Sequence, residues 1–304
     1  MTLQEALTTA QALPLDRLDA QLLLLHVLAR ASPVEPKVEA GVQATGEAKD
    51  KAQSQTKGRA WLLAHDGEAL PAWAQQQFDA LTARRAAGEP LAYLTGFKSF
   101  YGLELVVTPA VLIPRPDTET LVDWALALLP QDLAAPQVLD LGTGSGAIAL
   151  ALKHSYSQAV VTAADNSPAA LEVATANARR LQLDITFIHS NWLLDVRDDD
   201  GRCPCFHLIV SNPPYIAEGD AHLPALRHEP ISALAAGQDG LADIRQIITQ
   251  APAHLHPGGW LLLEHGFDQA SAVRALLTQD GFASVQSRRD LNGIERCSGG
   301  QFMG

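Results

Sequence analysis

The chain has 304 residues, 47% of them apolar, which is enough to bury the core of one large α/β domain and a smaller companion. A formal net charge of −12 leaves no excess of Lys and Arg to neutralise phosphates, so we expect no direct nucleic-acid partner. The 3 cysteines are too few for a disulfide-stapled secreted domain, and no apolar run reaches the ~18 residues that span a bilayer; we therefore predict a cytoplasmic protein with no membrane partner.

Residues 1–88 are predicted to form a small helical domain. Leu and Ala recur at helical spacing in residues 3–10 and 19–30, and helical patterns return in 58–66 and 71–88. Residues 32–57 are polar and contain almost no large apolar side chains, so we interpret them as a surface insertion in this domain.

Residues 89–120 are predicted to form a hairpin linker, because aromatic and β-branched residues there alternate with Gly and Pro turns. In residues 121–304, strand and helix patterns alternate, which predicts a Rossmann-like α/β domain with a mostly parallel sheet. Asn292-Gly293 is typical of an antiparallel hairpin and separates the last two strands. The expected strands are 138–141, 160–164, 185–189, 207–210, 260–264, 284–289 and 295–302.

The segment VLDLGTGSGAIALAL is the first candidate binding motif. An apolar strand runs into a glycine-rich turn and then into an Ala-rich helix. Glycines let the backbone approach a ligand closely, and the helix N-terminus offers free N–H groups to an anion. A tight turn without a ligand is the alternative. The candidate ligand contacts are Gly142, Thr143, Gly144, Ser145 and Gly146.

Two further candidates follow the next two strands. Asp165 lies 19 residues after Gly146, the spacing at which an acidic side chain accepts hydrogen bonds from ribose hydroxyls. Its alternative role is the N-cap of a helix that starts at Pro168. Trp192 is placed to flank an adenine ring, or else belongs to the core.

The segment Ser211–Tyr215, SNPPY, follows an apolar strand and is therefore expected at the carboxyl edge of the sheet. A buried primary amide or aromatic amine needs acceptors for two N–H groups. The Asn212 oxygen and the Pro213 carbonyl supply them, Pro214 adds no competing donor, and Tyr215 can stack on a flat group. A rigid Pro-Pro turn is the alternative.

A metal site is not expected. The best candidate for a zinc-ligand set consists of Cys203, Cys205 and His207. Its spacing does not match the usual C-x₂₋₄-C pairs of zinc sites. We predict that they belong to a surface loop and the start of a strand.

Together these motifs resemble the HemK-type protein-glutamine N5-methyltransferases, which modify peptide chain release factors. The resemblance covers nearly all of the chain outside 32–57. It rests on LIPRPDTE, DLGTGSG, SNPPY, LLLEHG and the closing pairs Arg289-Asp290 and Glu295-Arg296. Amino-methyltransferases of DNA and RNA share the NPPY-type motif but not LIPRPDTE, residues 112–119.

The resemblance implies a class I S-adenosylmethionine-dependent methyltransferase fold, with S-adenosylmethionine as methyl donor. The acceptor would be the Gln in the Gly-Gly-Gln motif of a release factor, docked by the helical domain. The implied cofactor contacts are residues 142–146, Asp165, Trp192 and Asn212. Asn212, Pro213, Pro214 and Tyr215 would hold the Gln amide. This chain has Asn191 where relatives often have Asp, so an amide oxygen would have to replace a carboxylate.

Two other functions remain open from the sequence. A nucleic-acid methyltransferase would use the same acceptors on the exocyclic amine of adenine or guanine. A protein that binds S-adenosylmethionine without catalysis would leave Asn212 idle. Residues 298–301, SGGQ, also resemble the presumed substrate motif. Self-methylation of Gln301 is one hypothesis, and a chance similarity of sequence is the alternative.

Overall fold

A computed structural model describes residues 1–30, 58–130, 133–198 and 200–304. Within these ranges the chain forms two compact units, Met1–Thr95 and Gly96–Gly304. No helix in the described ranges combines the length and the apolar character needed to cross a membrane. The insertion interpreted at 32–57 lies outside the described residues.

The first unit is helical. A capping box at Thr2 and Glu5 starts its first helix. Leu23, Leu24 and Phe78 are almost fully buried at its centre. Residues 91–95, placed in the linker from sequence, form a helix whose Leu94 packs into this core. The helices are α1 (Leu3–Ala10), α2 (Arg17–Ala29), α3 (Arg59–Ala64), α4 (Ala72–Ala86) and α5 (Leu91–Thr95).

The second unit opens with a hairpin of β1 (Phe97–Phe100) and β2 (Leu103–Val106). Tyr101 and Gly102 between them have φ of 48° and 75°, as a type I′ turn requires. The buried Asn177 joins β2 to the glycine-rich loop. Its Oδ1 accepts from the Val106 N–H at 2.7 Å, and its Nδ2 donates to the carbonyls of Val106 and Ser145 at 2.9 and 3.0 Å.

The sheet confirms the predicted fold. The elements that follow the hairpin are a 3₁₀ turn (Pro116–Thr118), α6 (Glu119–Leu128), β3 (Gln137–Leu141), α7 (Ala147–Ser155), β4 (Val160–Asp165), α8 (Pro168–Leu181), β5 (Thr186–His189), β6 (Phe206–Ser211), α9 (Ala242–Gln250), β7 (Leu255–Glu264), α10 (Ala270–Gln279), β8 (Ala283–Arg289) and β9 (Glu295–Gln301). In the described ranges the sheet has seven strands in the order β5-β4-β3-β6-β7-β9-β8. The pairs among β3–β7 are parallel, and β9 is antiparallel to both β7 and β8.

Both faces of the sheet are covered. Along β3, Val138 packs into one apolar cluster, whereas Leu139 and Leu141 pack into the cluster on the other face. The chain runs from β3 outwards to β4 and β5, then crosses to β6 on the opposite side of β3. Such a reversal leaves a crevice at the carboxyl ends of the central strands, and this is where ligands bind in open α/β sheets.

The strand ends lie within one residue of the sequence prediction, except for the start of β7. β7 begins at Leu255 rather than Trp260, because an irregularity in its pairing with β6 absorbs residues 256–259. The last two strands form the predicted hairpin, with Arg289 opposite Glu295 and the five residues 290–294 in the loop, as the predicted strand bounds imply. The Asp290 carboxylate orders this loop, since it accepts from the N–H groups of Asn292 and Ile294.

Candidate active site

The glycine-rich loop follows β3 and turns sharply into α7. Gly142 and Gly144 have φ of 68° and 56°, a region that side chains other than Gly adopt at a cost. A Cβ on Gly142 would lie 3.2 Å from Cζ3 of Trp192, so this glycine lets the indole ring rest on the loop. A Cβ on Gly144 would face open space instead.

Asp140, at the end of β3, stabilises this loop by accepting hydrogen bonds, a role that the sequence analysis missed. Its Oδ2 accepts from Thr143 Oγ1 at 2.6 Å and from the Ala149 N–H at 3.2 Å. Its Oδ1 has no hydrogen-bond partner among the described residues. Complete burial raises the pKa of Asp140 to about 7. An acidic residue inside an otherwise apolar strand was the available signal.

Asp165 ends β4 beside the loop. One oxygen accepts from the Gly144 N–H and the other from the Ser167 N–H, both at 2.8 Å. The helix-capping alternative is not what the structure shows, because the Ser167 hydroxyl caps α8 by accepting from the Ala170 N–H. Burial raises the pKa of Asp165, against the effect of these hydrogen bonds.

Trp192 lies next to this loop with an unusual φ of 53°. Its Nε1 donates to Asp243 Oδ1 over 3.2 Å, and its ring packs against the apolar cluster that contains Leu139. The residue therefore combines the two roles that the sequence left open, since it borders both the core and a cavity. Asp243 belongs to no motif that the sequence analysis marked.

A cavity of about 290 Å³ lies over these residues. Three other predicted contacts are not among the residues that line it in the described part of the chain: Thr143, Ser145 and Gly146. Asn191 does line it. The predicted residues that line this first cavity are Gly142, Gly144, Asp165, Trp192, Asn212 and Pro214.

The SNPPY segment leaves β6 at the same edge. Ser211 Oγ donates to the Leu141 carbonyl at 2.7 Å, which ties the end of β6 to the end of β3. Asn212 Nδ2 donates to Thr118 Oγ1 at 3.3 Å. Its Oδ1 is buried and has no partner within the described ranges, so a hydrogen-bond acceptor is available there.

A second cavity, of about 280 Å³, shares Leu112, Asn212 and Ala233 with the first. Tyr215 and Arg115 are among its other lining residues, whereas Pro213 lines neither cavity. The side chain of Asn212 therefore stands where the two cavities meet.

Two buried carboxylates that the sequence analysis did not assign support this second cavity. Glu229 accepts from the Ile113 N–H at 3.0 Å and pairs with Arg115 at 2.5 Å, which fixes the LIPRPDTE segment. Glu264 Oε1 accepts from the Tyr215 hydroxyl at 3.4 Å. Burial raises the pKa of Glu264 to about 7 and also raises that of Tyr215. Glu229 lies in no segment that the sequence analysis marked, whereas Glu264 lies in the LLLEHG motif at the end of a predicted strand, where it was given no role.

The remaining candidates lie away from the two cavities. His207 Nδ1 accepts from the Gln137 N–H at 3.0 Å, and the described residues contain no group of three or more possible metal ligands. Gln301 pairs with Trp260, four residues before the end of β7 at Glu264, and its Nε2 donates to the Gly258 carbonyl at 3.0 Å, so the structure holds this side chain away from the cavities. Gly299 is explained by packing, because a Cβ there would meet Leu262 Cδ2 at 2.5 Å.

Comparison with known proteins gives consistent matches. The family model of the Methyltransferase small domain matches residues 118–279, and that of the PrmC N-terminal domain matches residues 52–96. The release factor glutamine methyltransferase of Bordetella pertussis is 47% identical over 99% of both chains. Its counterpart from Pseudomonas aeruginosa is 50% identical over 81% of this chain and 88% of the relative.

A solved structure shows the same fold. The crystal structure of a methyltransferase from Pyrococcus furiosus aligns with a TM-score of 0.51 at 21% identity. The alignment covers 74% of this chain and 99% of that one. At this level of identity the likeness establishes the fold alone.

Proposed function

Since this chain belongs to the release factor glutamine methyltransferase family, we propose that it methylates the side-chain amide nitrogen (N5) of a glutamine, with S-adenosylmethionine as donor. The glutamine is that of the Gly-Gly-Gln motif in peptide chain release factors. The observation that carries the proposal is the buried Oδ1 of Asn212, an acceptor without a partner in the described ranges, placed between two cavities.

The first cavity has the chemistry that S-adenosylmethionine requires. Gly142 and Gly144 leave backbone and open space for the ligand, Asp165 offers carboxylate oxygens to ribose hydroxyls, and Trp192 offers a flat face to adenine. The Asn191 amide oxygen is the proposed acceptor for the adenine amine. When bound, the cofactor supplies a methyl group made electrophilic by its sulfonium.

The acceptor amide is a poor nucleophile, because its nitrogen lone pair is delocalised into the carbonyl. Its two N–H donors need acceptors in a buried site. We assign one to Asn212 Oδ1 and the other to the Pro213 carbonyl, and we place the flat amide beside Tyr215 in the second cavity. Holding the nitrogen in line with the methyl group converts a bimolecular encounter into an oriented transfer, which supplies much of the acceleration.

The helical domain predicted at 1–88, with the linker at 89–120, is proposed to dock the release factor. Its support is the match of residues 52–96 to the PrmC N-terminal domain, a module separate from the methyltransferase part. The net charge of −12 favours a protein over a nucleic acid as substrate.

The test is methyl transfer from labelled S-adenosylmethionine to a purified release factor, followed by mass spectrometry of the modified peptide. We expect one methyl on the Gln of Gly-Gly-Gln and none on a release factor in which that Gln is replaced by Ala. Asn212→Ala should abolish transfer and still bind S-adenosylhomocysteine. Label on RNA or DNA instead, or normal turnover by Asn212→Ala, would contradict the proposal.

A further inference from the structure

The amide of the proposed glutamine substrate has a carbonyl oxygen as well as an NH₂ group, and a buried carbonyl oxygen needs a hydrogen-bond donor. Asn212 Oδ1 and the Pro213 carbonyl are acceptors, so they can serve only the NH₂ group. Pro213 and Pro214 have no backbone N–H to offer. The N–H groups of Ile216 and Leu234, which also line the second cavity, donate to backbone carbonyls. A donor for the substrate oxygen is therefore to be sought among the side chains.

Three of the side chains that line the second cavity, in the described part of the chain, are polar: those of Arg115, Asn212 and Tyr215. Two of them already donate within the protein. The Asn212 NH₂ donates to Thr118 Oγ1 at 3.3 Å, and the Tyr215 hydroxyl donates to Glu264 Oε1 at 3.4 Å. Arg115 is the third polar side chain.

Arg115 has more donors than its protein partner can satisfy. A guanidinium carries five N–H donors in a planar fork and is always protonated in proteins. Its Nη2 donates to Glu229 Oε1, whereas the other oxygen of Glu229 accepts from the Ile113 N–H at 3.0 Å. One carboxylate oxygen cannot satisfy five donors. The Arg115 side chain is 36% exposed, so it is accessible to a ligand in the second cavity.

Glu229 restricts where the guanidinium can lie. The Glu229 side chain is 3% exposed, so the ion pair is anchored in the protein rather than in solvent. The charge of Arg115 also reaches Tyr215. Burial is the largest cause that raises the pKa of the Tyr215 hydroxyl, and the Arg115 charge lowers that pKa in part. The positive charge thus lies near the ring beside which we place the flat amide of the substrate.

We infer that Arg115 is a substrate-binding residue: its guanidinium donates a hydrogen bond to the side-chain carbonyl oxygen of the glutamine whose nitrogen is methylated. This inference rests on the proposed function, because it names a further contact in the same site. Asn212 and Pro213 accept from the NH₂ end of the amide, and Arg115 donates to the oxygen end. An amide held at both ends cannot rotate about the last bond of its side chain, so the nitrogen stays aimed at the methyl group.

Neutralisation of Glu229 is the other possible role of Arg115, because an unpaired buried carboxylate destabilises the folded state. Two variants separate the roles. Arg115→Met leaves Glu229 unpaired, whereas the double variant Arg115→Met/Glu229→Gln removes both charges and keeps an oxygen for the Ile113 N–H. If Arg115 only neutralises Glu229, the double variant regains stability in urea and activity together. If Arg115 binds the substrate, the double variant regains stability but stays slow.

We expect kcat/KM for release-factor methylation to fall by about tenfold in Arg115→Met and in the double variant, because a charge-assisted hydrogen bond to the substrate is lost. Arg115→Lys keeps the charge and a donor and should recover part of that loss. The Kd of S-adenosylhomocysteine should stay within about twofold of wild type, since Arg115 is not among the described residues that line the first cavity.

Arg274→Met is the matched control. Arg274 is 34% exposed, pairs with Glu295 at 3.2 Å, and is not among the described residues that line either cavity. Its loss removes an arginine of similar exposure and one ion pair, and kcat/KM should stay at the wild-type value.

The contact has a direct readout in NMR, the side-chain carbonyl ¹³C signal of the substrate glutamine in a ¹³C-labelled release factor bound with S-adenosylhomocysteine. The signal is identified by its loss when that glutamine is replaced by Ala. We expect it to shift between wild type and the double variant and to stay in place in Arg274→Met.

The outcomes separate the two proposals. If wild type transfers no methyl group to the glutamine, the proposed function fails and this inference fails with it. If wild type does transfer the methyl group, two results would each overturn the inference alone: wild-type kcat/KM in the double variant, or a carbonyl signal that is the same in wild type and the double variant.

Discussion

The indole Nε1 of Trp192 donates a hydrogen bond to Oδ1 of Asp243 over 3.2 Å, and both residues line the first cavity. The bond spans 51 positions of sequence and joins the loop after β5 to the first turn of α9. It holds the ring against Gly142, where the proposed adenine site lies.

Loss of this bond should weaken cofactor binding. We expect Asp243→Ala to raise the Kd of S-adenosylhomocysteine several-fold, because removing the partner of a half-buried donor costs about 1 kcal/mol. Trp192→Phe should have a similar effect, whereas Asp243→Asn keeps an accepting oxygen and should bind nearly as wild type. Calorimetric titration measures the Kd of S-adenosylhomocysteine for all three variants. Equal affinity for Asp243→Ala and wild type would show that the ring needs no anchor.

Gly142→Ala should also impair the cofactor site. The substitution places a side chain at a φ of 68° and pushes a Cβ to 3.2 Å from the Trp192 ring. Backbone strain of about 1–2 kcal/mol lowers stability, and displacement of the ring raises the Kd of S-adenosylhomocysteine. Gly281→Ala is the matched control, since it has a φ of 83° and no atom within 4 Å of the new Cβ. It should lose similar stability in urea yet bind the ligand normally; a binding loss as large as that of Gly142→Ala would refute the role of ring contact.

The pKa of Asp140, about 7, makes stability depend on pH. Its folded pKa lies above its unfolded value, so its contribution is complete below about pH 4 and is lost as pH rises to about 7. Asp140→Asn keeps an accepting oxygen but cannot titrate. Between pH 5 and 8, wild type should therefore lose on the order of 2 kcal/mol more unfolding free energy than Asp140→Asn.

Urea denaturation at the two pH values measures this difference. Buried His265 has a lowered pKa and contributes an opposite trend, but it does so in both proteins and cancels in the comparison. Glu104→Gln, at a side chain 64% exposed, serves as the control for loss of a carboxyl at the surface. Parallel pH profiles for wild type and Asp140→Asn would disprove the prediction.

Gly299→Ala should be strongly destabilising. The new Cβ would meet the Leu261 carbonyl at 2.6 Å and Trp124 Cη2 at 3.0 Å, in addition to Leu262. Overpacking of this kind typically costs 1–3 kcal/mol or more. Gly67→Ala has open space around the added methyl and should be close to neutral. If both variants unfold at the wild-type urea concentration, the Gly-Gly of the SGGQ segment has no packing role.

The succession of strands and helices along the chain and the placement of motifs at strand ends could be predicted from sequence. Alternating apolar strands and helices imply a parallel sheet, and in such a sheet Gly142, Asp165 and Asn212 must emerge at the same edge. The local sequence pattern was less informative about the residue at which strand β7 begins to pair with β6. Residues 256–259 contain Pro and two Gly, yet an irregular pairing carries β7 through them.

What the amino-acid sequence by itself determined is the fold and the edge of the sheet at which the proposed acceptors, Asn212 and Pro213, lie, because these depend on periodicity and short spacing. Only the tertiary structure decided which side chains form hydrogen bonds with the residues of the SNPPY segment. Thr118 reaches Asn212 across 94 positions and Glu264 reaches Tyr215 across 49, and in both cases the register of neighbouring strands and turns sets the distance. Hydrogen bonds between distant side chains depend on that register, which spacing along the chain does not encode.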